Sequence, residues 1–551
     1  TELAAQGIGG PAGILEARVP YEVSTRYPTN KSAKVWNSDA DPSSYNGEYS
    51  WVNSLEEFYK GGSFSKVALG EPYGKGKRKK GGSIRTLANF KPSKSIRTAK
   101  QLVEWMVEHA KNNILFLYDR VPEEIREITR KWYEGANTYA NRLAEDKNIS
   151  VPQASGVIAS LSPQKDWNIN VSLAERVIDI YQNQKNTAWT DEMLRTYEGV
   201  FIKNKDLSMG TIADNRRALK RIKGKTLSEV LANEDNVDAG RWLRTYDETY
   251  NDRSYRLMSP EGNLLDYAET NEGGRKVAAW GSLKPIASGI SILQDGSIKG
   301  ISRNLSTKNK VRSFYNNILN PDSEAGHVTV DTHAVSAALL QPFSGTDIEV
   351  EFNFGGQKIP KDPRVPKSAS TSNDSVNGFN GTYPIYEEAY RRAARERGIL
   401  PREMQSVVWE AGRSMFSSDY KGLKINKGGK AFFPNKEAVS EIWNNRKKGR
   451  ISLEEAREKI YAHAKGIKAP DWWGSYLRSL EKDQSTVDER ELRQRGISRP
   501  AERPAVRRRA GVDDTRVVES ERVERPPPTA LPAEGIEDVV AQNVKEGREA
   551  N

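Results

Sequence analysis

Residues 156–170 read Gly156-Val157-Ile158-Ala159-Ser160-Leu161-Ser162-Pro163-Gln164-Lys165-Asp166-Trp167-Asn168-Ile169-Asn170. The apolar first half is a helix, and Pro163 stops it, because the residue before a proline is driven out of the α region. A new helix then starts, with Val171, Ala174, Val177 and Ile178 on one face. Gln164 therefore sits at a corner between two helices, where a polar side chain can project into a groove. Capping and turn chemistry account for the same residues equally well.

Outward from this corner the chain is mostly α. Leu102, Trp105, Met106 and His109 share a helical face. A second helix starts after Pro122, carries Glu123 and Glu124 in its first turn, and runs through Ile125, Ile128, Trp132 and Tyr139. Residues 212–222 form a short basic helix with Arg216 and Arg217. Helices are also predicted over 308–319, 332–341, 384–398, 402–417, 435–447 and 452–465. In the helix over 402–417, Met404, Val407, Val408 and Ala411 form the core face. Gln405, Trp409 and Glu410 are read first as packing residues and second as lining of a cleft. Turn signals such as Pro260-Glu261-Gly262-Asn263 make 242–302 loops or a β-hairpin, and 345–380 reads as a long loop. Asp471-Trp472-Trp473 closes the folded part.

Composition sets the limits. The 551 residues exceed one domain's usual length. The predicted division is an irregular N-terminal region over 1–95, a helical core over 96–345 with an insertion at 231–302, a loop and C-terminal helices over 346–480, and a tail over 481–551. The chain contains no Cys, which excludes disulfides, Cys-bound zinc, iron–sulfur clusters and cysteine nucleophiles. Four His, at 109, 327, 333 and 463, offer no helical pair for a metal, so no metal and no cofactor is expected. No apolar run approaches the ~20 residues of a membrane span, and no signal peptide is visible. The chain begins at Thr1, which reads as loss of an initiator or as a cut from a longer product.

The net charge of +11 is uneven. Residues 61–100 hold 11 Lys/Arg against Glu71 alone, and Lys75, Lys77, Arg78, Lys79 and Lys80 lie among glycines. Such a loop suits nucleic-acid phosphate, since each neutralised phosphate releases a counterion; a solvated loop without a partner is the plainer alternative. Residues 481–551 hold 14 Lys/Arg, 16 Asp/Glu, no aromatic residue and the run Pro526-Pro527-Pro528. That composition describes a disordered tail.

The second chemical segment is His327-Val328-Thr329-Val330-Asp331-Thr332-His333. A short extended stretch delivers Asp331 to the start of a helix, where it can cap an orphan amide. The same carboxylate, at the mouth of a cleft, can stabilise positive charge developing on a sugar or activate a nucleophile.

Together, Leu161-Ser162-Pro163-Gln164 and Val330-Asp331-Thr332-His333, with a Lys-bearing helix before the second, resemble the helix-hairpin-helix DNA glycosylase superfamily, particularly its endonuclease III branch. The resemblance covers about 152–182, 205–230 and 303–342. It implies that Gln164 enters the space left by an extruded base and that Asp331 assists glycosidic cleavage, since the reacting bond is inaccessible inside the stack. Trp167, Asn168 and His333 flank the two motifs and are taken as substrate contacts. Lys75, Lys77, Arg78, Lys79, Lys80, Arg216 and Arg217 are taken as contacts to the backbone of duplex DNA. The family's hairpin glycines are missing from Leu305-Ser306-Thr307-Lys308-Asn309-Lys310-Val311. An ungapped match puts its lysine at Val311, leaving Lys308 and Lys310 as candidate amines out of register for a Schiff base.

As a whole, the chain also looks like large multidomain proteins of tailed phages and mobile elements, which implies the cytoplasm of a bacterial host or a packaged virion. Three functions follow: a glycosylase-like enzyme, a DNA-binding protein without chemistry on the same scaffold, and a virion component that accompanies packaged DNA.

Overall fold

A computed structural model describes residues 99–482, apart from 164, 204–209, 306–308, 346, 354–381 and 428–429. The basic loop at 74–82, the tail, Gln164 and Lys308 lie outside the described residues.

The described chain is mostly helical. It begins with α1 (Ala99–Tyr118), α2 (Glu123–Thr129), α3 (Trp132–Asp146), α4 (Val151–Leu161), α5 (Trp167–Asn183) and α6 (Asp191–Tyr197), the last continued by a π-helical turn over Glu198–Lys203. Next come α7 (Ile212–Ile222), α8 (Leu227–Asn233), α9 (Asn236–Tyr250), β1 (Arg256–Met258), β2 (Leu264–Tyr267), α10 (Leu283–Gln294), α11 (Ile298–Leu305) and α12 (Asn309–Leu319). The chain continues through α13 (Thr332–Leu339), α14 (Ile348–Asn353), α15 (Tyr383–Arg397), α16 (Pro401–Met415), α17 (Ser418–Gly422), β3 (Ile425–Lys427), β4 (Lys430–Phe432), α18 (Pro434–Lys447) and α19 (Leu453–His463). Each strand pair is a two-stranded antiparallel hairpin.

Local chemistry fixes many boundaries. Ser150 and Gln153 form a capping box at the start of α4, and Thr211 and Asp214 do the same for α7. Asp166 caps α5 by accepting from the Asn168 amide.

Two hydrophobic clusters divide the helices. One runs from Tyr133 to Ile318 and is centred on Val157, Val177, Trp242, Ile286, Ile290 and Tyr315. The other joins Val103–Ile125 to Val328–Ala464, with Tyr383, Tyr386, Val407 and Trp443 at its centre. Across the expected boundary at 345/346, α1 packs on α13, α15 and α16, and the chain leaves that layer and returns to it. The 242–302 segment, expected as loops or a β-hairpin, is corrected. It carries helices α9 and α10 as well as a hairpin, and α10 packs on α4 across small residues. A Cβ at Gly156 would come within 3.3 Å of both Ile292 and Ile301, tighter than side chains normally approach.

Two smaller expectations also change. The predicted helix through Ile125 and Tyr139 is two helices, because Thr129 Oγ1 turns back on the Ile125 carbonyl and Lys131 takes φ −81°, ψ 4°. Residues 345–380 include the short helix α14. The turn between β1 and β2 docks on α3 at close backbone approach, and the Arg142 side chain donates to the Gly262 carbonyl. Gly262 takes φ +85°, and a Cβ at Gly135 would collide with the Pro260 carbonyl.

Candidate functional site

A pocket of about 620 Å³, counted out to the solvent at its mouth, lies where the two clusters meet. The Tyr133–Ile318 side contributes Trp132, Tyr133, Ser162, Lys165, Trp167, Asn170, Lys310 and Phe314; the other side contributes Thr329, Asp331, Gln405, Ser406 and Trp409. The wall is aromatic and interlocked. Trp167 meets Trp132 edge-on at 6.2 Å and Phe314 at 5.9 Å, and Phe314 meets Tyr133 at 6.2 Å.

Asp331 is held by two bonds. Its Oδ1 accepts from the Ala334 amide at 2.9 Å, so it caps α13. Its Oδ2 accepts from Trp409 Nε1 at 3.0 Å. The stretch that delivers it rests on α15. The Tyr383 hydroxyl donates to the Val328 carbonyl at 2.7 Å and accepts from the Val330 amide at 3.1 Å. Asp331 is thus a cap and a pocket residue at once.

Lys310, in the first turn of α12, turns into the pocket, and Nζ donates to the Ser162 carbonyl at 3.0 Å. Burial pushes its pKa below the usual lysine value, with Asp331 pulling the other way. Val311, its neighbour in the expected register, faces the core. One residue is a rotation of about 100° on a helix. Lys310 thus lines the pocket although it stands out of the expected register.

The corner between α4 and α5 is pinned from several sides. Lys165 Nζ donates to the Ala279 carbonyl at 2.8 Å, and burial, with Arg244 nearby, lowers its pKa. Asn170 Nδ2 donates to the Ile158 carbonyl at 3.0 Å. Arg413 on α16 pairs with Asp166 at 2.8 Å and Asp471 at 3.1 Å. Burial works against its charge, yet Asp166, Glu410 and Asp471 hold its pKa above the ordinary value.

The expected site residues divide. Asp331, Lys310 and Trp167 meet in one pocket. Asn168 does not line it: its Oδ1 accepts from the Met258 amide at 2.9 Å, tying β1 to α5. His333 sits behind the wall, edge-on to Trp409 at 5.9 Å, with its pKa pushed down to about 4 by burial against the pull of Asp331. Arg216 and Arg217 are exposed on α7 and are not among the lining residues; Arg217 pairs with Asp214 in its own helix.

The structure adds lining residues that the sequence did not single out, among them Trp132, Tyr133, Phe314 and Thr329. Phe314 lies four residues after Lys310 and so shares its helical face, a signal available in the sequence. Gln405 and Trp409 line the pocket, against their first reading as packing residues. Glu410 does pack: it is buried and accepts from Trp472 Nε1 at 3.1 Å.

A family of unknown function, DUF7178, matches residues 97–239, well under half of the chain. The match includes α1 to α8 and the corner, and it stops before Lys310 and Asp331. No curated protein matches the chain, and no solved structure does. Among the described residues, no helix is long and apolar enough to cross a membrane, and no three His, Asp or Glu side chains are grouped to hold a metal.

Proposed function

We propose that this protein binds DNA and cleaves the N-glycosidic bond of a base extruded into the pocket between Trp132, Trp167 and Trp409. One observation carries the reading. Two separate motifs and the helix between them converge on one aromatic pocket, with an amine from Lys310 and a carboxylate from Asp331 in its wall. Flat aromatic walls suit a planar heterocycle. A carboxylate beside the sugar stabilises the positive charge that builds as the bond breaks.

Lys310 adds a nucleophile. Burial favours its neutral form, which carries the lone pair. Attack of Nζ on C1′ forms the carbon–nitrogen bond as the base departs with the electron pair. The proton lost from the amine balances the charge on the leaving base and leaves a glycosylamine; its nitrogen lone pair then forms the C=N bond as C1′–O4′ breaks and O4′ takes the remaining N–H proton, giving a Schiff base that borohydride reduces. Contacts to the DNA backbone come from the basic stretch at 75–80 and from Arg216. The absence of glycine from Leu305–Val311 favours a second reading, a DNA-binding protein without chemistry on the same scaffold. Single-turnover incubation with duplexes carrying one uracil, alkylated, oxidised or abasic site decides between them. Release of a base supports the enzyme; binding without release from any duplex leaves the second reading.

A further inference from the structure

Two side-chain hydrogen bonds lie in the pocket wall. Asn317 Nδ2 donates to Thr329 Oγ1 at 3.3 Å. Beside it, the Tyr133 hydroxyl donates to Gln405 Oε1 at 2.9 Å. Tyr133 is buried, and desolvation raises its pKa far enough to keep that proton in place at any ordinary pH.

Gln405 lies one turn before Trp409 on α16 and, like it, in the pocket wall. With Oε1 accepting from Tyr133, Nε2 is the amide's donor end, and among the described residues no protein acceptor meets it. Other lining atoms have the same bias. The indole N–H groups of Trp132 and Trp167 and the hydroxyl of Ser162 are buried without partners, whereas Asn170 Oδ1 is the unpartnered acceptor among the lining side chains.

We propose that Gln405, its orientation set by Tyr133, selects heterocycles that present a ring carbonyl to it and rejects those with an exocyclic amine at the same position. This specificity rests on the reading of the pocket as a base site and names the substrate class: keto bases. A carbonyl gives Nε2 its acceptor. An amine would set donor against donor and leave buried groups unpaired, the arrangement that costs most in a desolvated site.

The test needs no chemistry from the enzyme. Trp132, Trp167 and Trp409 line the pocket, so their fluorescence in the full-length protein reports a ring that enters it. Titrations use free uracil against cytosine and hypoxanthine against adenine, each pair differing by a keto or an amino group. Uracil and hypoxanthine should quench at concentrations lower by about tenfold or more. Gln405→Glu turns the donor into an acceptor and should invert the order. Tyr133→Phe, which keeps the ring, frees the amide to flip and should bring the ratio toward one while quenching persists. Equal affinities in the wild type, or an unchanged ratio in Gln405→Glu with fluorescence and melting intact, overturn the assignment and leave the base site standing. No quenching by any of the four overturns the base site itself.

Discussion

Lys310 Nζ donates to the Ser162 carbonyl at 3.0 Å, a bond between residues 148 positions apart. It joins the first turn of α12 to the corner after α4. A lysine placed to bond a single carbonyl beside an aromatic wall is poorly solvated, which is why its pKa falls.

That placement costs stability and predicts a separation of effects. The unfolded lysine keeps its proton up to the ordinary value of 10.5, and the folded one releases it earlier. Between the two values the unfolded state binds more protons, so the lysine makes stability rise with pH. Lys310→Met should remove that slope and melt at or above the wild-type temperature at neutral pH. It should also slow base release on the order of a hundredfold or more and abolish borohydride trapping. Loss of folding in this variant would show that the amine serves the structure.

Much of the fold was legible in the sequence because its boundaries are chemical. Pro163 ends α4, the Thr211–Asp214 box starts α7, and the apolar stripe Met404, Val407, Val408, Ala411 places α16 on the core. The site was legible in part. Asp331 and the corner stand in short, ordered motifs. Gln405 and Trp409 were harder, because they flank the core stripe of their helix and only the neighbouring helices decide whether that flank meets a cavity. Val311 and Lys310 differ by one position, and packing alone chose which faces the pocket. The interleaving of α1 with α13, α15 and α16 leaves no local trace, since it depends on contacts more than 200 residues apart, such as Asn113 Nδ2 donating to the Ala338 carbonyl.

Glu410 predicts a pH effect close to the site. Burial raises its pKa to about 7, against the pull of Arg413. Its folded value lies above its ordinary value of 4.5, so the folded state binds the extra proton between the two, and the contribution to stability is lost as pH rises through this window. Glu410→Gln keeps an acceptor for Trp472 Nε1 and cannot ionise. The difference in melting temperature, variant minus wild type, should grow as pH rises from about 5 to 7 and level off above it. A difference flat across that range would mean that Glu410 does not titrate there.

The basic loop makes a separate claim about affinity. Deleting residues 74–82 removes Lys75, Lys77, Arg78, Lys79 and Lys80. If all five meet phosphate, the slope of log K against log salt on duplex DNA should fall by about 4. An unchanged slope, measured by anisotropy from low to physiological salt, would remove the loop from the interface.

Asp331 makes the sharpest demand, because it is cap, acceptor and proposed charge stabiliser at once. Asparagine can still accept from the Ala334 amide, but its other end is then an NH2 group facing the Trp409 N–H. Asp331→Asn should therefore fold with a loss of about 1–3 kcal/mol, the usual cost of a buried donor left unpaired. Asp331→Ala loses the cap as well, worth about 1 kcal/mol more. DNA affinity should hold in both, or rise slightly as a negative charge leaves the site. Base release should fall on the order of a hundredfold or more in both, because neither side chain carries the charge that opposes the developing cation. The comparison is made by single-turnover release, with melting curves on the same preparations. A variant that melts lower and releases base at the wild-type rate would leave Asp331 as a helix cap and place the chemistry elsewhere in the pocket.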